Sequence, residues 1–318
     1  MKVIFMGTPE FAVPSLEAVL GAADVVAVIT RPDAPQGRGL RVVSPPVAAV
    51  ANRYALEVLQ PASLKDATAL GRLRALAPDL FVVVAFGRIV PSEVLAVARL
   101  GGINLHPSLL PRYRGAAPIP RAIASGDAET GVTVLHMSDE LDAGDLILQR
   151  AVPIGPDDTT ATLDPRLARE GAGLLVEALR RLEAGQAPRR PQDPARVTYA
   201  PKLTRQEAWL CWTDSAVRLA NLVRAFDPWP VASVLLEGAA LRIWRAVPRP
   251  GGGPDLPGTV VSVGKDGLSV ATGEGRLLIM EIQPASGRRM TVPEYLRGHP
   301  IAPGTVLGGR PPESPPGR

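Results

Sequence analysis

The chain has 318 residues, 46% hydrophobic and 21% charged, enough for about two domains; its one cysteine excludes a disulfide framework or a CxxC zinc site. The net charge of +4 is uneven: residues 1–188 sum to −2 and residues 189–318 to +6, which reads either as a surface for a polyanion or as a well-solvated small domain. No run approaches the ~18 apolar residues of a membrane span, and Gly7-Thr8-Pro9 cuts the apolar opening too short for a signal peptide, so no membrane and a cytoplasmic setting are expected.

Lys2–Met6 reads as a buried strand, Gly7-Thr8 as a turn, and Pro9 as the start of a helix running to Leu20. Asp24–Thr30 is a second strand, and residues 31–46 (RPDAPQGRGLRVVSPP) read as a long loop. A helical stretch follows, then Leu56–Leu59 and a helix over Ser63–Ala75. Leu80–Ala85 is continuously apolar, as expected of a central parallel strand buried on both faces. Ile103–Leu105 is the next strand, followed by a helix near Ala117–Ser125. Strands over Gly131–Met137 and Asp145–Val152 and a long amphipathic helix over Thr160–Glu183 complete this part. Strands alternating with helices predict an α/β, Rossmann-like parallel sheet over residues 1–186.

Residues 187–206 are rich in Pro and Arg with little periodicity, and read as a linker. A helix over Ser215–Phe226 ends at Asp227-Pro228. Five short strands follow, at Ser233–Glu237, Leu241–Val247, Thr259–Val263, Leu268–Thr272 and Leu277–Ile282, with turn signals at Asp266-Gly267 and Gly273-Glu274-Gly275. They predict a small OB-like β-barrel over residues 207–310, and residues 311–318 read as a disordered tail.

The opening VIFMGTPEF has one glycine where a dinucleotide site needs G-x-G-x-x-G, which argues against NAD. A ligand is still expected at the carboxyl ends of the parallel strands. Asn104 and His106 lie two apart in an extended segment, so their side chains point the same way. Residues 139–145 (DELDAGD) form an acidic turn between two strands. An amide, an imidazole and a carboxylate together suit acyl transfer to an amine: the amide stabilises the oxyanion and the imidazole moves the proton. Each feature alone also reads as structural, a satisfied strand-end histidine and a solvated turn. His136 and His299 read as structural, and Cys211 as a small core residue.

These segments carry a family resemblance. INLHPSLLPRYRGAAPI, with the later ELDAGD, resembles the 10-formyltetrahydrofolate-dependent formyltransferases. MGTPEFA, PDAPQGRG, GDAETGVTV, TYAPKL and RAFDPWP extend the likeness from residue 1 to about 310. The resemblance implies catalysis by Asn104, His106 and Asp142. It implies folate binding by Ser108, Leu109, Leu110 and Pro111, helped by the loop holding Phe86 and Gly87. It implies tRNA contacts at Arg38 and Lys202. The implied formyl donor is 10-formyltetrahydrofolate, with no metal, and the implied partner is initiator methionyl-tRNA, bound by a monomer. Pro107 departs from the family pattern, where Gly is frequent; it stiffens the loop and holds His106 extended.

Two further readings remain open. One is a different formylfolate transferase, acting on a glycinamide ribotide or a nucleotide-linked amino sugar, which would not need a basic barrel. The other is an RNA-binding protein with a non-catalytic ligand-sensing domain, which would not need all three of Asn104, His106 and Asp142.

Overall fold

The computed structural model describes residues 1–36 and 41–309. The chain divides into two compact units. The first comprises Met1–Pro118, Glu129–Pro153 and Asp164–Ala200; the second comprises Ile119–Ala128, Ile154–Leu163 and the described residues from Pro201 onward.

In chain order the elements begin with β1 (Lys2–Gly7), α1 (Val13–Leu20), β2 (Asp24–Ile29), β3 (Ala34–Gln36), β4 (Arg41–Val43), α2 (Pro46–Arg53), β5 (Val58–Leu59) and α3 (Ala67–Leu76). They continue with β6 (Leu80–Val84), α4 (Ser92–Leu95), β7 (Gly102–His106), β8 (Arg114–Gly115), α5 (Pro118–Ser125), β9 (Glu129–His136), β10 (Leu146–Pro153), α6 (Thr160–Glu183) and β11 (Tyr199–Ala200).

The first unit is built on a seven-stranded sheet in the order β10-β9-β7-β6-β1-β2-β5. The stretch from β5 to β7 is parallel, and β9 and β10 each run antiparallel to the strand before them in the sheet. β1 and β6 lie centrally; Val3–Met6 and Leu80–Val84 are buried throughout, which is why both read as unbroken apolar runs. Gly7 ends β1 where a Cβ would sit 2.8 Å from the Phe5 ring and 2.9 Å from the Ala12 Cβ. The single glycine thus serves close packing of strand on helix.

Several expected boundaries shift for local reasons. α1 starts at Val13, after a tight turn over Glu10–Ala12, rather than at Pro9. α3 starts at Ala67 because the Asp66 carboxylate accepts from the Thr68 and Ala69 N–H groups. The stretch 31–46 is not wholly a loop, since β3 and β4 pair as a short antiparallel ribbon within it. Residues 187–200, expected as a linker, are ordered within the first unit: Arg190 bridges Leu146, and β11 pairs with β8.

The second unit contains α7 (Ala216–Ala225), β12 (Ser233–Leu236), β13 (Ala239–Arg249), β14 (Val260–Gly264), β15 (Gly267–Ala271), β16 (Arg276–Pro284), β17 (Met290–Thr291) and α8 (Val292–Leu296). Its strands run antiparallel in the order β12-β13-β16-β15-β14, with β17 beside β16. Residues 305–308 close this sheet into a barrel, because Gly308 pairs with Leu235 and Val306 pairs with Thr259. Closure removes the two free sheet edges. Val234, Leu241, Ile243, Val260, Leu268, Leu277 and Ile279 form the core. Among the described residues, no helix is long and apolar enough to cross a membrane.

Candidate active site

The carboxyl ends of β1, β6 and β7 lie in step, with Gly7 beside Val84 and Val84 beside Leu105. Strand order reverses between β1 and β6, so this edge is a topological switch point, where open α/β sheets place ligands. Loops leaving β6, β7 and β9 enclose a cavity of about 570 Å³. Phe86–Val90 line one side, Ser138–Gly144 another, and Asn104, His106 and Pro107 lie on its wall.

One carboxylate joins the three expected catalytic side chains. Asn104 Nδ2 donates to Asp142 Oδ1 at 3.3 Å, and the Gly115 N–H donates to Asp142 Oδ2 at 2.9 Å. His106 Nδ1 lies 3.5 Å from the same Oδ2, and the two side chains are only 5% and 9% exposed. His106 Nε2 lies 2.9 Å from the Tyr113 carbonyl oxygen. A carbonyl oxygen can only accept, so Nε2 must carry a proton and donate it. The tautomer follows from that partner, and Nδ1, facing Asp142, is the nitrogen left to take up or release a proton.

The loop bearing Asp142 is tightly constrained. Asp142 adopts φ 51° in the left-handed region, and Gly144 passes so near β9 that a Cβ would fall 1.8 Å from the His136 carbonyl oxygen. The acidic turn is therefore a built structure, and its one large apolar residue, Leu141, stands 64% exposed at the cavity.

The other expected residues are placed as follows. Phe86 and Gly87 line the cavity, and the Phe86 carbonyl accepts from Thr8 Oγ1 at 3.0 Å. Ser108, Leu109, Leu110 and Pro111 do not line it. Their polar groups are engaged elsewhere: Ser108 Oγ donates to the Arg112 carbonyl at 2.7 Å, and Thr133 Oγ1 donates to the Ser108 carbonyl at 2.6 Å. Gln149 Nε2 donates to the Leu110 carbonyl at 2.8 Å, and Leu109 packs over Gly131. In this geometry the run anchors the loop to β9 and β10 and so places Tyr113, the His106 acceptor. Lys202 is exposed in the second unit. Arg38 lies outside the described residues.

Cys211 is exposed, contrary to the core expectation; it lies between the buried Leu210 and Trp212 and opens a turn in which the Asp214 N–H donates to its carbonyl. His136 is buried in β9, where burial and then the nearby Arg189 charge hold its imidazole below the usual histidine range. His299 stacks on Tyr295 with ring centroids 4.5 Å apart. Among the described residues, no three His, Cys, Asp or Glu side chains cluster as a metal site would need. A second cavity, of about 480 Å³ between β2, β5 and α3, is mostly apolar, and its Glu57 and Arg72 pair with each other.

Sequence reasoning missed Arg88, Ile89 and Val90, and it read residues 139–145 as an acidic turn without assigning Ser138–Leu141 to a cavity wall. A usable signal was present at Leu141, a large apolar side chain in an otherwise acidic turn; Ile89 and Leu141 stand 83% and 64% exposed.

Residues 1–179 match the family described as Formyl transferase, and residues 202–300 match Formyl transferase, C-terminal domain. The chain belongs to the formyl transferase family. The likeness extends to particular members. It is 48% identical over 309 residues to the methionyl-tRNA formyltransferase of Moorella thermoacetica, covering 97% of this chain and 99% of that protein. It is 49% identical over 311 residues to the methionyl-tRNA formyltransferase of Methylococcus capsulatus, covering 97% and 100%. In fold it resembles the N-formyltransferase of Helicobacter canadensis, solved with folinic acid and dTDP-3-aminofucose, at a TM-score of 0.67 and 19% identity over 91% of this chain and 100% of that one.

Proposed function

We propose that this chain transfers the formyl group of 10-formyltetrahydrofolate to the amino group of methionine on initiator tRNA. The observation that carries the reading is the convergence of Asn104 and His106 on the Asp142 carboxylate at the wall of a cavity, in a chain nearly half identical over its length to methionyl-tRNA formyltransferases. The cavity volume falls within the ~300–1,000 Å³ usual for small-molecule sites, and its mix of apolar side chains and loop backbone suits a flat, amide-bearing ring system.

In the reaction the methionyl amine adds to the formyl carbon, the carbon–N10 bond breaks, and one proton passes from the amine to N10. Asn104, already oriented by Asp142, donates to the formyl oxygen as it becomes negative. His106 takes the amine proton at Nδ1 and delivers it to the departing nitrogen. Asp142 faces the imidazolium so formed and opposes its charge. Tyr113 keeps the ring in the tautomer that leaves Nδ1 open. The formyl group arrives already activated, so the residues need only orient, polarise and shuttle one proton.

The first unit, residues 187–200 included, supplies this chemistry, and residues 207–310 hold the tRNA by charge; Arg38 and Lys202 meet the acceptor arm. The enzyme works in the cytoplasm as a monomer. The test is formyl transfer from 10-formyltetrahydrofolate to charged initiator and elongator methionyl-tRNA in parallel. Faster formylation of the initiator is expected; no formylation of either overturns the reading.

A further inference from the structure

We propose that Gln192 is a positioning residue for formyl transfer, acting on the reacting atoms only through Asp142; this rests on the catalytic reading given above. Gln192 lies in the stretch whose sequence reads as a connector. Its Nε2 donates to the carbonyl oxygens of Asp142, at 2.7 Å, and Gly144, at 2.9 Å. Its Oε1 accepts from Arg114 Nε at 3.1 Å and Nη2 at 2.8 Å. Arginine only donates and carbonyls only accept, so this amide fits one way round, with both hydrogens and its oxygen engaged.

Arg114 is itself buried, and its backbone N–H is held by the Thr198 carbonyl at 2.9 Å. The next residue, Gly115, donates its N–H to Asp142 Oδ2. The Arg114–Gly115 pair therefore holds Asp142 at two points: the carboxylate directly, and the main chain through Gln192. That second hold matters because Asp142 sits at φ 51°, a backbone state that residues with a Cβ rarely keep without outside support. Released from Gln192, the turn can relax and carry the carboxylate away from Asn104 and His106. The stretch around Gln192 also places the opposite side of the histidine, since Thr198 Oγ1 accepts from the Tyr113 N–H at 2.9 Å.

Two substitutions separate this role from general support. Gln192→Leu introduces no charge and removes every hydrogen bond of the side chain. Gln192→Glu keeps acceptors for Arg114 but cannot donate to the two carbonyls. With 10-formyltetrahydrofolate and methionyl-tRNA as substrates, both variants are expected to lose about 10–100-fold in kcat, with KM for each substrate within about threefold of the parent. In an Asp142→Asn background, Gln192→Leu is expected to cost less than about threefold more, because the group it aims is already gone. Thermal unfolding establishes that each variant is folded, and if the Leu variant is not, the Glu variant decides. Parent-like kcat in the folded variants, or the full loss repeated on top of Asp142→Asn, overturns the proposal. If the parent chain makes no N-formylmethionyl-tRNA, or Asp142→Asn turns over normally, the underlying reading fails and the proposal with it. If those controls behave as expected and only the Gln192 variants keep their kcat, the proposal fails alone.

Discussion

Replacing Asp142 by Asn changes one atom and removes one charge, and the structure sets the size of the effect. The carboxylate accepts from Asn104 and from the Gly115 N–H, and faces His106 Nδ1 at 3.5 Å. The proposed mechanism has the imidazole accept a proton at Nδ1, and without that proton the carboxylate gains little from the ring. Once Nδ1 has taken the amine proton, the pair is a buried ion pair, and at an effective dielectric of about 20 its attraction at this distance is about 4–5 kcal/mol. That stabilisation exists only along the reaction path, so its loss appears in kcat, by about 10³-fold at about 1.4 kcal/mol per decade. The amide that replaces the carboxylate must also turn its NH2 toward either Asn104 Nδ2 or the Gly115 N–H. One donor then meets another donor, for a further cost of about 1–3 kcal/mol in folding stability. The assay is single-turnover formyl transfer at saturating methionyl-tRNA, with thermal unfolding in parallel. A folded Asp142→Asn enzyme within tenfold of the parent would refute the electrostatic argument, and with it the role given to Nδ1.

Three more outcomes follow from separate features. Gly144→Ala places a Cβ 1.8 Å from the His136 carbonyl oxygen, so the Asp142 loop must shift; stability should fall by about 1–3 kcal/mol and transfer activity should fall further than stability explains, read by melting and kcat together. His136 is held below its usual range by burial and by Arg189, with the Pro188 carbonyl and Asp145 opposing. The unfolded chain then takes up a proton first, so the stability this gives is full above about pH 6.5 and is lost as pH falls through that value toward the folded one. A denaturation midpoint followed from pH 7.5 to 5.5 should therefore decline, and less so in His136→Asn. Lys202→Glu, at an exposed site, should raise KM for methionyl-tRNA without changing kcat and flatten the salt dependence of binding by about one unit of slope, measured by titration at several salt concentrations.

The parallel sheet was legible because β1 and β6 are buried on both faces and must be written in apolar residues without interruption. The barrel strands were legible from Asp266-Gly267 and the short alternating runs, but the segment that closes the barrel was not. Residues 305–308 pair with β12 and β14 through backbone groups, which leave no side-chain pattern. Asn104 and His106 could be paired from their spacing, whereas their meeting with Asp142 depends on register across β7 and β9 and needed the family likeness to be foreseen. Ser108–Pro111 show the converse. Motif likeness marks them as ligand contacts, and their hydrogen bonds to Arg112, Thr133 and Gln149 add an anchoring role that a linear motif does not display. Gln192 was invisible for a related reason: a polar residue in a Pro-rich stretch looks like a connector until its four hydrogen bonds are seen.

The central claim is that Asn104, His106 and Asp142 act as one unit to move a formyl group onto methionyl-tRNA. It is tested most directly by mixing the purified chain with 10-formyltetrahydrofolate and initiator methionyl-tRNA and following both products, beside His106→Ala. One tetrahydrofolate is expected for each N-formylmethionyl-tRNA formed, with a rate lower by about 10³-fold in the variant, in the range general acid–base catalysis supplies. Absence of N-formylmethionyl-tRNA with the parent chain, or an undiminished rate in folded His106→Ala, would contradict it.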